Sequence, residues 1–143
     1  MVPMVPVEQT VFGPRHGNCF AACLASILEL PIDQVPDFIT TFEGHTWLPM
    51  LLDWLNKFGL SAVFLAYSSE VNAPSGYAIL SAWNLRSNCK HAVVVKDGAI
   101  VWDPSPNRAD GLGEPEHWMA FTVLDPSKLV ANGLRKMVLV PVP

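Results

Sequence analysis

The sequence predicts a single α+β domain, spanning residues 1–143, in which helices come first and a mainly antiparallel sheet follows. Two stretches, 19–30 and 47–58, carry apolar residues at helical spacing. After residue 59 the apolar runs become short or alternating, and Gly, Pro, Asn, Asp and Ser separate them, which is typical of strands. The length of 143 residues, half of them hydrophobic, suits one sizeable core.

The amino-terminal half supplies the helices. Residues 1–12 are predicted to be extended, and Asn18 is a favourable N-cap for a helix over 19–30 that ends before Pro31. The stretch "PIDQVPDF", with proline near both ends, predicts a short turn or helical corner.

A second helix is predicted over 47–58, with Gly59 as the residue that ends it. About five or six strands are expected from the runs "LSAVFLAY", "YAILSAW", "HAVVVK", "AIVWDP", "MAFTVL" and "RKMVLVPV". One helical turn is expected within "DPSKLVANG".

Composition excludes several classes of protein. The net charge of −4, the pI near 5.4 and the lack of a Lys/Arg cluster argue against nucleic-acid binding. No apolar run approaches the roughly 20 residues needed to cross a bilayer, so no membrane partner is expected. The amino terminus lacks the basic region of a signal peptide, so we expect a cytoplasmic protein whose three cysteines are reduced thiols.

The stretch "HAVVVKDGAIVWDP" predicts a buried, central hairpin with two polar residues, His91 and Asp103, at its open end. A two-residue Asp97-Gly98 turn would place these two side chains on opposite faces. A three-residue turn that includes Lys96 would place them opposite each other on one face. We favour the three-residue turn, because only it gives both polar side chains a partner.

Cys19 opens the first predicted helix. A helix amino terminus favours a thiolate and offers free N–H groups to an oxyanion. A carboxylate next to a histidine fixes its tautomer and stabilises the imidazolium, and such a histidine can activate a thiol. Cys19, His91 and Asp103 therefore meet the requirements for nucleophile, base and orienting carboxylate.

The blocks "GNCFAACLASIL", "HAVVV" and "DP" resemble the papain-like cysteine peptidase fold, and most closely its compact bacterial C39-like group of bacteriocin-processing domains. The chain also looks like a small family found in bacterial and phage genomes. The resemblance covers roughly residues 9–113. It implies the catalytic roles named above for Cys19, His91 and Asp103, and an upstream glutamine that helps to hold the oxyanion.

The only glutamine upstream of Cys19 is Gln9, which lies farther away than the family spacing, so "FGPRHG" would have to loop out. Asn18 and His16 are alternatives for the oxyanion role. Trp83 and Trp118, near predicted strand ends, are candidates for lining a substrate groove.

The other two cysteines are predicted to have structural roles. Cys23, one turn after Cys19, is predicted to be a core residue, and Cys89 a core or loop residue. A zinc site from both of these with Cys19 and His91 is disfavoured by the C-x₃-C and C-x-H spacing. We therefore expect no metal and no cofactor.

The function expected from these residues is hydrolysis of a peptide, isopeptide or amide bond in a peptide or protein substrate, through a thioester on Cys19. Two alternatives stay open. The same triad could serve an acyltransferase or a deamidase. The scaffold could also be a non-catalytic binding or inhibitory module of phage or mobile-element origin, with a host protein as its target.

Overall fold

The computed structural model describes residues 4–10, 18–38, 46–70, 72–84, 89–105 and 113–138. Within these ranges it contains three α-helices and one five-stranded antiparallel sheet, which confirms the predicted α+β class. The helices are α1 (Cys19–Leu28), α2 (Trp47–Asn56) and α3 (Pro126–Ala131). The strands are β1 (Leu60–Ala66), β2 (Tyr77–Asn84), β3 (Cys89–Lys96), β4 (Ala99–Trp102) and β5 (Pro115–Val123).

The spatial order of the strands is β1-β5-β2-β3-β4. The last strand in sequence is therefore inserted between β1 and β2. This order leaves β1 and β4 as the outer strands of the sheet. The predicted central hairpin corresponds to β3 and β4. Residues 92–95 of β3 are buried, but Ala99, Ile100 and Val101 of β4 are exposed. The prediction that both strands are buried is therefore wrong.

The helix α1 forms the middle of the main core. Eight consecutive residues from Ala21 to Leu28 are buried, and they pack on the face of the sheet that carries Ile79, Val94 and Met119. Such a helix has no exposed face, which explains why the sequence shows no charge until Glu29. Glu29 adopts a left-handed conformation (φ 58°) and ends the helix two residues earlier than predicted.

The other local predictions are mostly met. A 3-10 turn at Ile32–Gln34 forms the predicted corner, and α3 is capped by Asp125, whose side chain accepts the Ser127 N–H. The predicted carboxy-terminal strand begins instead as a 3-10 turn at Arg135–Met137, and its residues 139–142 lie outside the described residues. No helix in the described ranges has the length and apolar character needed to cross a membrane.

Candidate active site

The amino terminus of α1 lies at the centre of the candidate site. Cys19 is the first residue of this helix and is half-buried. The first helical hydrogen bond runs from the Ala22 N–H to the Asn18 carbonyl (2.9 Å). The N–H groups of Cys19, Phe20 and Ala21 precede that bond, and no acceptor for them is seen within the described residues. They are donors available to a bound anion or oxyanion.

Asn18 occupies the N-cap position, but its side chain does not cap the helix, so that part of the prediction is wrong. Its amide instead makes two bonds to Thr10: Oδ1 accepts the Thr10 N–H (2.9 Å), and Nδ2 donates to Thr10 Oγ1 (2.9 Å). These bonds join residues 10 and 18 directly, across the segment that contains "FGPRHG". They hold the Gln9–Thr10 segment close to the Cys19 end of α1.

His91 and Asp103 form a close pair. The distance from His91 Nε2 to Asp103 Oδ1 is 2.7 Å, and the side chains are 12% and 15% exposed. Asp103 Oδ1 also accepts the Ser105 N–H at 2.9 Å. The backbone after Pro104 thus helps to fix the carboxylate that orients the imidazole.

The strand register explains how these two side chains come to share a face. The turn is the two-residue one, since Lys96 pairs with Ala99, and Asp97 and Gly98 both have positive φ (51° and 85°). This is the type I′ geometry that Asp-Gly favours, and the predicted three-residue turn is wrong.

A bulge in β4 compensates for the turn. Ile100 pairs with Val95, but Trp102 pairs with Val94, so Val101 is an extra residue. His91 lies three residues before Val94 and Asp103 lies one residue after Trp102. Val94 and Trp102 lie directly opposite each other, so their side chains point to the same face. His91 is an odd number of positions away from Val94, as Asp103 is from Trp102, so the side chains of His91 and Asp103 also share one face, as diagonal neighbours.

Cys19 completes the cluster. Cys19 interacts with the ring of His91, whose Nε2 is bonded to Asp103. Burial by itself lowers the pKa of His91. The hydrogen bonds to Asp103 and Cys19, and the negative charges of both, outweigh that effect and raise the pKa from 6.5 to about 10. The ring is therefore an imidazolium at neutral pH, and an imidazolium stabilises a neighbouring thiolate.

Cys23 lies one turn further along α1 and is fully buried, as the sequence analysis predicts. Burial raises the pKa of the Cys23 thiol well above its usual value, and the charges of Cys19 and Asp103 add to this. The two cysteines of α1 therefore have opposite characters. Cys19 is accessible and next to a cation, whereas Cys23 is enclosed and held neutral.

Gln9 is brought back to the site by backbone contacts. Its N–H donates to the Pro104 carbonyl (2.9 Å), directly after Asp103, and its side chain is only 8% exposed. The indole Nε1–H of Trp102 donates to the Val7 carbonyl (2.9 Å), which anchors the same segment. Gln9 therefore lies beside Asp103 through its backbone, while residues 11–17 between it and α1 lie outside the described residues.

The two candidate groove tryptophans differ in position. Trp83 is half-buried at the end of β2, next to Ala82, which pairs with His91. Trp118 is 7% exposed in a second apolar cluster with Leu80 and Val93. Its position assigns Trp118 to packing, and of these two tryptophans only Trp83 lies beside the site in the strand register.

Other predicted candidates have no described role here. His16 and His45 lie outside the described residues, as does the side chain of Cys89. His117 packs half-buried in β5 against Phe64, and burial lowers its pKa. In the described part of the chain, no group of three or more His, Cys, Asp or Glu side chains is arranged to hold a metal ion.

The anchoring of the amino-terminal segment is what sequence reasoning missed. Ser26 is fully buried in α1, and its Oγ donates to the Ala22 carbonyl (2.8 Å) and accepts the Val7 N–H (2.9 Å). Its own carbonyl accepts the Val5 N–H (3.3 Å). The available signal was a single serine inside the apolar run "CLASIL", where a buried hydroxyl needs partners.

Comparison of the chain with protein-family models, with curated proteins and with solved structures finds no match. The functional assignment therefore depends on the residues of the site and on their geometry.

Proposed function

We propose that this chain is a papain-like cysteine hydrolase that cleaves a peptide, isopeptide or amide bond through a thioester on Cys19. The observation that carries the proposal is the central position of His91, which bonds Asp103 through Nε2 at 2.7 Å and also interacts with Cys19 at the start of α1. This arrangement is the one that nucleophilic catalysis requires.

The chemistry follows from the positions of the groups. In the resting pair the proton of Cys19 is held by His91, and Asp103 stabilises this imidazolium without itself becoming protonated. The thiolate attacks the carbonyl carbon, and the oxyanion that forms is held by the Cys19 N–H together with the Gln9 amide. His91 then returns its proton to the leaving amine, which leaves an acyl thioester on Cys19.

The group that attacks the thioester in the second half of the reaction determines whether hydrolysis or transfer occurs. Water attacks the thioester, His91 removes its proton, and the carboxylic acid is released with the free thiol. An amine acceptor in place of water gives acyl transfer on the same triad, and a carboxamide substrate gives deamidation. The half-buried site next to Trp83 is where the acceptor would be selected.

Alkylation of the individual cysteines tests the proposal. Iodoacetamide labelling, followed by mass spectrometry of each peptide over a pH range, compares Cys19 with the enclosed Cys23 in one molecule. We expect Cys19 to react much faster below the pH at which ordinary thiols ionise, and His91→Ala to remove that advantage. The His117→Ala variant is the control, because it removes a partly buried histidine that the site does not use.

One result of the labelling experiment would contradict the proposal. If Cys19 reacts at the rate of an ordinary thiol, with or without His91, the nucleophile assignment is wrong. The non-catalytic binding module would then be the better hypothesis.

A further inference from the structure

The outer strand β1 has none of the features that usually protect a sheet edge. All seven residues pair in unbroken register with β5, and their sequence, "LSAVFLA", contains no charge and no proline. Charged side chains, proline, bulges or short length normally prevent an edge from pairing with another chain. The opposite outer strand, β4, has only four residues and contains the bulge at Val101.

The register with β5 shows which backbone groups of β1 are open. The Leu124 N–H donates to the Gly59 carbonyl (2.8 Å), and the Tyr67 N–H donates to the Glu116 carbonyl (2.9 Å). Hydrogen-bonded positions alternate in an antiparallel pair, so the odd-numbered residues between 59 and 67 face β5. The even-numbered residues of β1 therefore direct their N–H and C=O groups away from the sheet.

One of these open groups is already covered. When the Asn56 side chain is oriented with its amide nitrogen towards the backbone carbonyls, that nitrogen donates a hydrogen bond to the Leu60 carbonyl oxygen (2.9 Å). Within the described residues, no partner is seen on the outer side for the backbone groups of Ala62, Phe64 and Ala66. The open stretch therefore has three donors and three acceptors, centred on Phe64.

Apolar side chains accompany this open stretch. Val63, Leu65 and Tyr67 share one face, and they are 43%, 44% and 39% exposed. Tyr67 extends the patch towards Trp118, with ring centroids 5.6 Å apart. Exposed apolar residues that lie next to open backbone groups are characteristic of a surface for strand addition.

We propose that β1 pairs antiparallel with β1 of a second copy of this chain, about a two-fold axis at Phe64. In this register Ala62 pairs with the partner's Ala66, and Phe64 with the partner's Phe64. Six hydrogen bonds form, and they use every open group of the stretch. Val63 then lies opposite the partner's Leu65 on the exposed face.

The strand itself argues for a second copy rather than an unrelated chain. The open stretch is symmetric about Phe64, so one copy supplies a donor for every acceptor of the other. The pairing brings no charges together, and it covers the two valine–leucine pairs. A single strand pair buries less than the roughly 1,200 Å² of a stable complex, so we expect a dimer that dissociates on dilution.

Sedimentation velocity at increasing protein concentration tests this proposal. The wild-type mass is expected to rise from 15.7 kDa towards twice that value between about 1 and about 500 μM. The double variant Val63→Lys/Leu65→Lys places lysine opposite lysine twice and should stay monomeric. The matched control Val130→Lys/Leu124→Lys exchanges an equally exposed valine and leucine (54% and 59%) and should associate like the wild type.

Amide hydrogen exchange gives a second test on the unaltered protein. In the monomer, the Val63 and Leu65 amides should be protected by β5, whereas those of Ala62, Phe64 and Ala66 exchange quickly. Raising the protein concentration should slow exchange at the Ala62, Phe64 and Ala66 amides and leave exchange at Val63 and Leu65 unchanged. A wild type that stays monomeric over the whole range, or a lysine variant that associates equally well, would overturn the proposal without affecting the proposed chemistry of Cys19.

Discussion

His91 and Asp103 lie on one face of the sheet because Val101 is an extra residue in β4. The type I′ turn at Asp97-Gly98 would by itself put them on opposite faces. The bulge shifts the register by one residue and restores the shared face, which permits the 2.7 Å contact. Bulges are frequent next to active sites for this reason, since they re-aim one side chain without changing the fold.

Deletion of Val101 should therefore separate the pair. With the bulge removed, position 103 moves to the other face, so the Asp103 carboxylate no longer reaches His91. We expect the pKa of His91 to fall from about 10 and the alkylation of Cys19 to slow. NMR titration of the imidazole measures the first effect, and Val101→Ala, which keeps the residue count, is the control. A His91 titration that is unchanged by the deletion would contradict the register argument.

The His91–Asp103 pair should also make stability depend on pH. The pKa of His91 is higher in the folded state (about 10) than the ordinary 6.5, because Asp103 and Cys19 outweigh burial. The stabilisation is therefore fully present below about pH 6.5 and is lost as pH rises through about 10. Urea unfolding at several pH values should show a free energy of unfolding that declines over this window.

The Asp103→Asn variant provides the comparison for that experiment. It keeps the shape of the side chain but removes the charge that favours the imidazolium. Its free energy of unfolding should decline less between pH 6.5 and 10 than that of the wild type. Parallel profiles for the two proteins would show that the pair does not set the His91 pKa.

Ser26→Ala should destabilise the protein by about 1–3 kcal/mol, because it leaves the part-buried Val7 N–H without its acceptor. Thermal or urea unfolding measures this loss. Since Ser26 anchors the segment that carries Gln9, we also expect increased amide exchange at Val7 and Gln9. The matched control is Ser127→Ala at the exposed start of α3, where the hydroxyl bonds only its neighbouring Asp125.

Gly59→Ala should be more destabilising than Gly133→Ala. Both glycines have positive φ (84° and 73°), so an alanine costs about 1–2 kcal/mol at either position. At Gly59 a Cβ would also collide with the Asp125 carbonyl oxygen, whereas at Gly133 no atom of the described residues lies within 4 Å. The difference between the two free energies of unfolding measures the close approach alone, and equal losses would show that the backbone at Gly59 can move away.

Local sequence patterns determined the helices and the chemical character of the site. The start of α1 at Cys19 and the strands after Gly59 follow from periodicity and composition. These depend on residues close together in the chain, so they can be predicted from short stretches. The pairing of Cys19 with His91 and Asp103 was proposed on the same basis, from the residue types that such chemistry needs.

Tertiary structure decided the features that depend on distant partners. The Val101 bulge reflects how β4 fits against β3, and the sequence alone favoured a wrong turn to obtain the same contact. Asn18 bonds Thr10 instead of capping α1, because the amino-terminal segment returns to the site and offers both a donor and an acceptor. Strand order likewise depends on which apolar faces can be buried together. For this reason β4 can be the outer strand of the sheet although its hairpin with β3 is apolar on both faces.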